Sequence, residues 1–250
     1  MKEKILIHDL HKSFGPKVVL DGLDLTVFES EILCIIGISG VGKSVILKHL
    51  MGILEPESGS IIVDGVEFTG ADTETRRSIL SKYGILFQGA ALFDSLNIYD
   101  NVAFGLRRQN TPEETIQHVV PETLAQVGLK NVEEKRVSEL SGGMQKRVGL
   151  ARSIAMKPEI MLYDEPTTGV DPITGGAVDR LIAHTRDTFG VTSVVVTHDI
   201  RSAYRIADRI AMLYDGKIIY EGPPDTFRSS VDPMVRQFID GRAHGPIQVL

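Results

Sequence analysis

The chain is poor in cysteine: Cys34 stands alone in 250 residues. One cysteine excludes an intramolecular disulfide and any cysteine-cluster metal site. Basic residues are not in excess either, with 27 Lys and Arg against 33 Asp and Glu and a formal net charge of −6. The chain as a whole is therefore no polyanion binder of the histone kind. Long apolar runs are missing. The longest, about Ile32 to Ile38, is far short of the roughly 20 residues that a membrane helix needs. The start, MKEKILIHDL, carries charges but no apolar stretch of signal-peptide length. The expectation is a soluble cytoplasmic protein that a partner must hold if it works at a membrane. There is no internal repeat and no low-complexity segment. His8, His11, His49, His118, His184 and His244 lack ligand-like spacing and read as surface or packing residues. The methionines form no stripe at helical spacing. What remains is ordinary: 42% hydrophobic and 24% charged residues bury a core and exclude a disordered chain. The length suits one large domain or two coupled subdomains.

Strand-like alternation opens the chain, over Lys4–Leu10 and Val18–Val27, with a turn at Ser13-Phe14-Gly15-Pro16. Glu31 to Gly37 reads as a strand buried on both faces, followed by a Gly-rich turn and a helix over Lys43–Met51. Strands are expected at Ser60–Phe68, turning at Asp64-Gly65, and at Tyr83–Gln88. Helices then dominate between about residues 89 and 152: Ile98–Gln109, Pro112–Val127 and Gly142–Met156. Alternation returns with a strand at Glu159–Asp164, a helix at Pro172–Phe189, a strand at Val191–Thr197 and a helix at Ile200–Ala207. Arg209–Tyr214 and Lys217–Glu221 form a hairpin across Asp215-Gly216. The fold class is α/β, with a mostly parallel core sheet, an N-terminal antiparallel β element and an inserted helical subdomain.

Three stretches carry chemistry. Gly37-Ile-Ser39-Gly40-Val41-Gly42-Lys43-Ser44 matches G-x-x-x-x-G-K-[ST] after a buried strand and at the opening of a helix. Its backbone N–H groups and the helix start suit phosphate oxygens. Lys43 would reach the β- and γ-phosphates, and the Ser44 hydroxyl would bind Mg²⁺. Ile160-Met-Leu-Tyr-Asp164-Glu165 is an apolar strand ending in two carboxylates, at the end of a strand where α/β sheets bind ligands. Asp164 is a candidate metal residue, and Glu165 a candidate acceptor for the proton of an attacking water. Leu140-Ser141-Gly142-Gly143-Met144-Gln145 opens a helix with a cap residue and two glycines, a second anion site or an ordinary capped helix start.

Together with Gln88 and Thr197-His198-Asp199, these motifs, in this order and spacing, resemble the nucleotide-binding domain of an ABC transporter, a P-loop NTPase. The resemblance covers about residues 4–228. It implies a cassette over residues 1–228, with a helical subdomain at about 89–152 inserted in the RecA-like core, and a tail at 229–250 that contacts another subunit. It implies ATP and Mg²⁺ as ligands, bound between two copies of the chain, neither of which holds a full site. Phe14 would stack on adenine. Gly37 to Val45 would wrap the phosphates, although Val45 lacks the hydroxyl that many relatives place at the α-phosphate. Ser44, Gln88 and Asp164 would hold the metal, Gln88 also linking the site to a membrane partner. Glu165 would be the general base and His198 would contact the γ-phosphate. Asp171 would bridge the protomers. Ser141, Gly142 and Gly143 would bind the γ-phosphate held by the opposite chain.

Longer stretches are similar to the ATPases of MCE-type phospholipid transport systems of bacterial envelopes: Gly42 to His49, Leu86 to Leu96, Asn101 to Phe104, Asp164 to Ile173, and the end, Val235 to Gly241 with Gly245-Pro246. That likeness implies a peripheral protein on the cytoplasmic face of the inner membrane. Its partners would be a second copy of itself, an MlaE-like permease, a hexameric MCE-domain protein and a STAS-domain subunit, with phospholipid as cargo through the permease and no nucleic acid. The apolar residues after Gln88, Ala90 to Phe93 and Leu96, offer a groove for a partner helix or belong to the core. Two other readings stay open: an importer ATPase for a small solute, and a soluble ABC ATPase acting without a permease. The tail, anchored by Phe238 and Ile239, is expected to lie across a neighbouring subunit. Lys146-Arg147 reads as a solvated pair on an exposed helix face.

Overall fold

Apolar residues at every second position make the first pair of strands. In β1 (Glu3–Phe14) and β2 (Lys17–Phe28), Ile5 lies opposite Val27 and Ile7 opposite Leu25, antiparallel. All four are buried, so the pair offers one apolar face. A computed structural model describes residues 2–248. After the opening pair come β3 (Ile32–Ile36), α1 (Lys43–Leu50), β4 (Ser58–Val63), β5 (Val66–Glu67), α2 (Thr73–Leu80) and β6 (Tyr83–Leu86). Three helices follow: α3 (Ile98–Arg108), α4 (Glu113–Gln126) and α5 (Gly142–Ile154), with a 3₁₀ turn at Val137–Glu139 before the last. Then come β7 (Ile160–Asp164), α6 (Pro172–Phe189), β8 (Thr192–Thr197), α7 (Ile200–Ile206), β9 (Arg209–Tyr214), β10 (Lys217–Gly222), α8 (Pro224–Arg228) and α9 (Pro233–Asp240). No helix among the described residues is long and apolar enough to cross a membrane.

The contacts divide the chain into two compact units, one from the residues up to Ser81 and from Thr192 onward, the other from Lys82–Val191. The first holds an antiparallel sheet ordered β2-β1-β4-β5 and the strands β10-β9-β3-β8. β3 lies parallel to both β8 and β9. Flanked on both sides, all five of its residues are inaccessible to solvent, as a continuous apolar strand requires.

The second unit joins β6 and β7 in parallel to α3, α4, α5 and α6. Ile98, Val102, Ile116, Val120, Leu124 and Val148 are fully buried, and such side chains contribute about 1.5–3 kcal/mol each. The Ser153 hydroxyl of α5 donates to the Ile85 carbonyl of β6 at 2.7 Å. The strands β6 and β7 thus group with the helices, a wider unit than the all-helical stretch at residues 89–152 that the sequence marks.

The structure adds α2, α8 and α9 to the elements read from sequence. In α2 only Ile79 is buried, so no apolar stripe announces it. Its signal is the cap, where the Asp72 side chain accepts from the Thr75 N–H. Over the tail, the buried Gln237 of α9 donates to the carbonyls of Arg242 and Ile247 and accepts from the Ile247 N–H. The Gln248 N–H donates to the Tyr214 hydroxyl. The described part of the tail is therefore held against its own chain, with Phe238 and Ile239 half-buried. Residues 249 and 250 of the expected tail lie outside the described residues.

Candidate nucleotide site

In the first unit the phosphate loop joins β3 to α1. Gly42 sits at the start of α1 with φ 116°. A Cβ there would come within 2.8 Å of the Val19 side chain, so only glycine fits both the conformation and the space. Lys43 is buried, and its ammonium donates to the carbonyls of Gly37 and Ile38 at 2.9 and 3.1 Å. Ser44 and Val45 are half-buried at the first helical turn, and Ser39 and Gly40 are at least partly exposed. Ile36 pairs with Thr197 of β8. His198 and the phosphate loop therefore leave neighbouring parallel strands at the same, carboxyl end, where α/β folds bind ligands. His198 is exposed, and the next residue, Asp199, caps α7 by accepting from the Arg201 and Ser202 N–H groups. Phe14 is 48% exposed at the end of β1, with the Lys12 ammonium 5.7 Å from its ring centre. That leaves a ring face open to stacking.

The second unit carries the carboxylates, Gln88 and the Ser-Gly-Gly helix start. Leu86 pairs with Tyr163, so Gln88 and Asp164-Glu165 leave β6 and β7 side by side. Glu165 has φ 48°, the left-handed region that costs a non-glycine residue on the order of 1–2 kcal/mol. Its carboxylate accepts from the Thr168 hydroxyl at 3.0 Å. Asp171 caps α6, accepting from the Ile173 and Thr174 N–H groups at 3.0 Å each and from the Thr174 hydroxyl. These bonds, that to the Thr174 hydroxyl foremost, hold its carboxyl below the usual range. Ser141 caps α5 through the Met144 N–H and, like Gly142, is exposed. Gly143 is buried, and a Cβ there would meet the Thr174 methyl at 2.3 Å. Gln145 braces the same turn by donating to the carbonyls of Val137 and Leu140.

Three residues of the second unit carry structure that the sequence did not disclose. Lys146 is not a surface residue: it is buried, and its ammonium meets the carbonyls of Gln88, Glu165 and Pro166. Helical spacing set it beside the charged Arg147, but α5 turns that position toward two loops. Arg152 donates to the carbonyls of Ala90 and Ala91. Asn101, fully buried, holds Phe93 and the turn after it. Of the apolar run after Gln88, Ala90 is core while Ala91 and Phe93 are exposed, Phe93 leaning on Phe104 at 4.6 Å.

Among the described residues, no group of three or more His, Cys, Asp or Glu is placed to hold a metal ion. The hydroxyl of Ser44, the carboxamide of Gln88 and the carboxylate of Asp164 are oxygen donors, the kind Mg²⁺ takes alongside substrate phosphates.

Residues 20–168 match the ABC transporter family. A probable ribonucleotide transport ATP-binding protein, mkl, of Mycobacterium tuberculosis is 41% identical over 99% of this chain and 69% of its own length. The intermembrane phospholipid transport system ATP-binding protein MlaF of Escherichia coli is 38% identical over 96% of this chain and 90% of its own. Among solved structures, a dimeric ATP-binding cassette in a post-hydrolysis state, bound to ADP and Pi, aligns with a TM-score of 0.79 and 29% identity, covering 88% of this chain and 98% of that one.

Proposed function

The chain belongs to the ABC transporter ATPases, which bind and hydrolyse ATP, and from that premise we propose that it is the motor of a bacterial transporter moving phospholipids between inner and outer membrane. The observation that carries the cargo is the 38% identity to a phospholipid transport ATPase across 96% of this chain. In this reading two copies bind two ATP molecules head to tail. The loop Gly37 to Val45 wraps the phosphates, Lys43 neutralises them and Phe14 stacks on adenine. Ser141, Gly142 and Gly143 of the opposite copy reach the γ-phosphate, and Asp171 ties the copies together. Ser44, Gln88 and Asp164 would hold Mg²⁺, which when bound would supply Lewis-acid polarisation of the phosphates. Glu165 accepts the proton of the attacking water and His198 orients the γ-phosphate. Gln88 and the exposed Ala91 and Phe93 pass closure to an MlaE-like permease at the cytoplasmic face of the inner membrane. An MCE-domain protein and a STAS-domain subunit complete the assembly.

The test is extraction of the tagged chain from native membranes in mild detergent, with mass spectrometry of the proteins and lipids that follow it. An MCE protein, a polytopic permease and phospholipid are the expected company. A permease with a solute-binding protein would transfer the cargo to a small solute, a reading favoured by the ribonucleotide named for the mycobacterial relative. Absence of any membrane protein would overturn the transporter role.

A further inference from the structure

The buried ammonium of Lys146 has no place in the roles assigned above, yet its position is unusual. Lys146 lies on α5, is 6% exposed, and meets three main-chain oxygens: Gln88 at 3.1 Å, Glu165 at 3.4 Å and Pro166 at 2.8 Å. A lysine has three N–H donors and no acceptor, so the three carbonyls use its full capacity. They come from two loops, one leaving β6 and the other leaving β7. Those loops carry Gln88 and Glu165. Both loops hold non-glycine residues in the left-handed region, the first Ala90 and Ala91 at φ 59° and 48° and the second Glu165 at φ 48°. A backbone in that region persists where surrounding contacts over-determine it. Here the contacts are the turn that brings the Thr168 N–H to the Glu165 carbonyl at 3.2 Å, the Thr168 hydroxyl on the carboxylate at 3.0 Å, and Lys146 on the carbonyl.

We propose that Lys146 is a positioning residue for ATP hydrolysis: its ammonium clamps the carbonyl oxygens of Gln88, Glu165 and Pro166, and so fixes the loop that presents the general base against the loop that presents the metal-contacting amide. The proposal rests on the roles proposed for Gln88 and Glu165. Burial depresses the lysine's affinity for its proton, and the Glu165 charge opposes that effect. The cation is thus kept in a dry position by the loops it joins. Lys146 touches no substrate in this scheme and acts through two other residues. Its loss should therefore affect the chemical step and not nucleotide capture. Misplacement of a catalytic group by about 1 Å costs up to about a hundredfold in rate.

The experiment measures ATP turnover and affinity for the fluorescent nucleotide TNP-ATP on the full chain, in the membrane complex extracted with it. The variants are Lys146→Met, Lys146→Gln and Glu165→Gln, beside the wild type. Lys146→Met keeps the side-chain bulk and removes the donors. It should lower kcat by about ten- to a hundredfold and leave TNP-ATP affinity within about twofold. Lys146→Gln, which keeps two N–H donors on a shorter arm, should recover part of kcat. Unchanged kcat in the methionine variant, or affinity falling in step with kcat, overturns the clamp. If the methionine variant does not fold, the glutamine variant is judged by the same two criteria. Glu165→Gln separates the clamp from its premise. Slow turnover in Glu165→Gln with normal turnover in Lys146→Met overturns the clamp alone, whereas normal turnover in Glu165→Gln overturns the general-base role and the clamp with it.

Discussion

Replacing Asn101 by alanine should loosen the segment after Gln88 and lower the stability of the chain measurably. Asn101 has no exposed surface. Its carbonyl oxygen accepts from the Phe93 N–H at 2.8 Å, and its amide donates to the carbonyls of Phe93, Leu96 and Asn97 at 3.1, 3.3 and 2.9 Å. The amide has two hydrogens for three acceptors, so these contacts amount to about three hydrogen bonds, each worth about 1 kcal/mol net. Alanine is the better helix former by about 0.6 kcal/mol, and Asn101 lies within α3. The balance is a loss of about 2.5 kcal/mol. For a chain of this size about 1 kcal/mol moves Tm by roughly 2–4 °C, so the drop should be about 5–10 °C. Asn101→Asp should be at least as damaging, because a buried carboxylate would then face three carbonyl oxygens. Thermal unfolding followed by circular dichroism gives the shift, and native-state hydrogen exchange gives its location. The Phe93 amide should exchange much faster in Asn101→Ala. A Tm within about 2 °C of wild type, with the Phe93 amide still protected, would refute the reasoning.

Glu165→Gln should still bind ATP but turn over at least about a hundredfold more slowly, the usual contribution of a general base; single-turnover hydrolysis measures it. Gly143→Ala should distort the start of α5 and reduce ATPase activity, because its Cβ would sit 2.3 Å from the Thr174 methyl. Adding Thr174→Ser removes that methyl but keeps the hydroxyl on Asp171, so activity should return in the double variant. His49 is buried and donates from Nδ1 to the Val45 carbonyl at 2.7 Å, while its Nε2 has no hydrogen-bond partner among the described residues. Burial, the main cause, depresses its pKa, so the unfolded chain takes up a proton that the folded chain refuses. Its contribution is complete above the free value near 6.5 and is lost as pH falls through that value toward the depressed one. Urea midpoints between about pH 7.5 and 5 should show that loss in the wild type and a flatter profile in His49→Asn.

Much was legible because its signals are local. For α6 the sequence expectation, Pro172–Phe189, coincides with the helix observed: Asp171 caps one end, Pro172 takes the first position and Gly190 closes the other in the left-handed region. For β3 an unbroken apolar run sufficed, since a strand flanked on both sides needs no alternation. The motif residues were readable for the same reason: a phosphate loop or a cap works through spacings of a few residues. Where periodicity is weak, the reading failed. The helix α2 buries one side chain, and α8 has only five residues.

By itself, then, the sequence determined the fold class and most of the order of strands and helices, and it marked the candidate residues for nucleotide chemistry, all of which depend on neighbours along the chain. Tertiary structure alone decided the fate of Lys146 and Asn101, polar residues whose partners are main-chain groups, chiefly carbonyl oxygens. Every residue has a carbonyl, so no side-chain pattern marks which ones will be joined. Gln88 and Glu165 become neighbours through the pairing of β6 with β7, and only then does a lysine on α5 have three oxygens to meet.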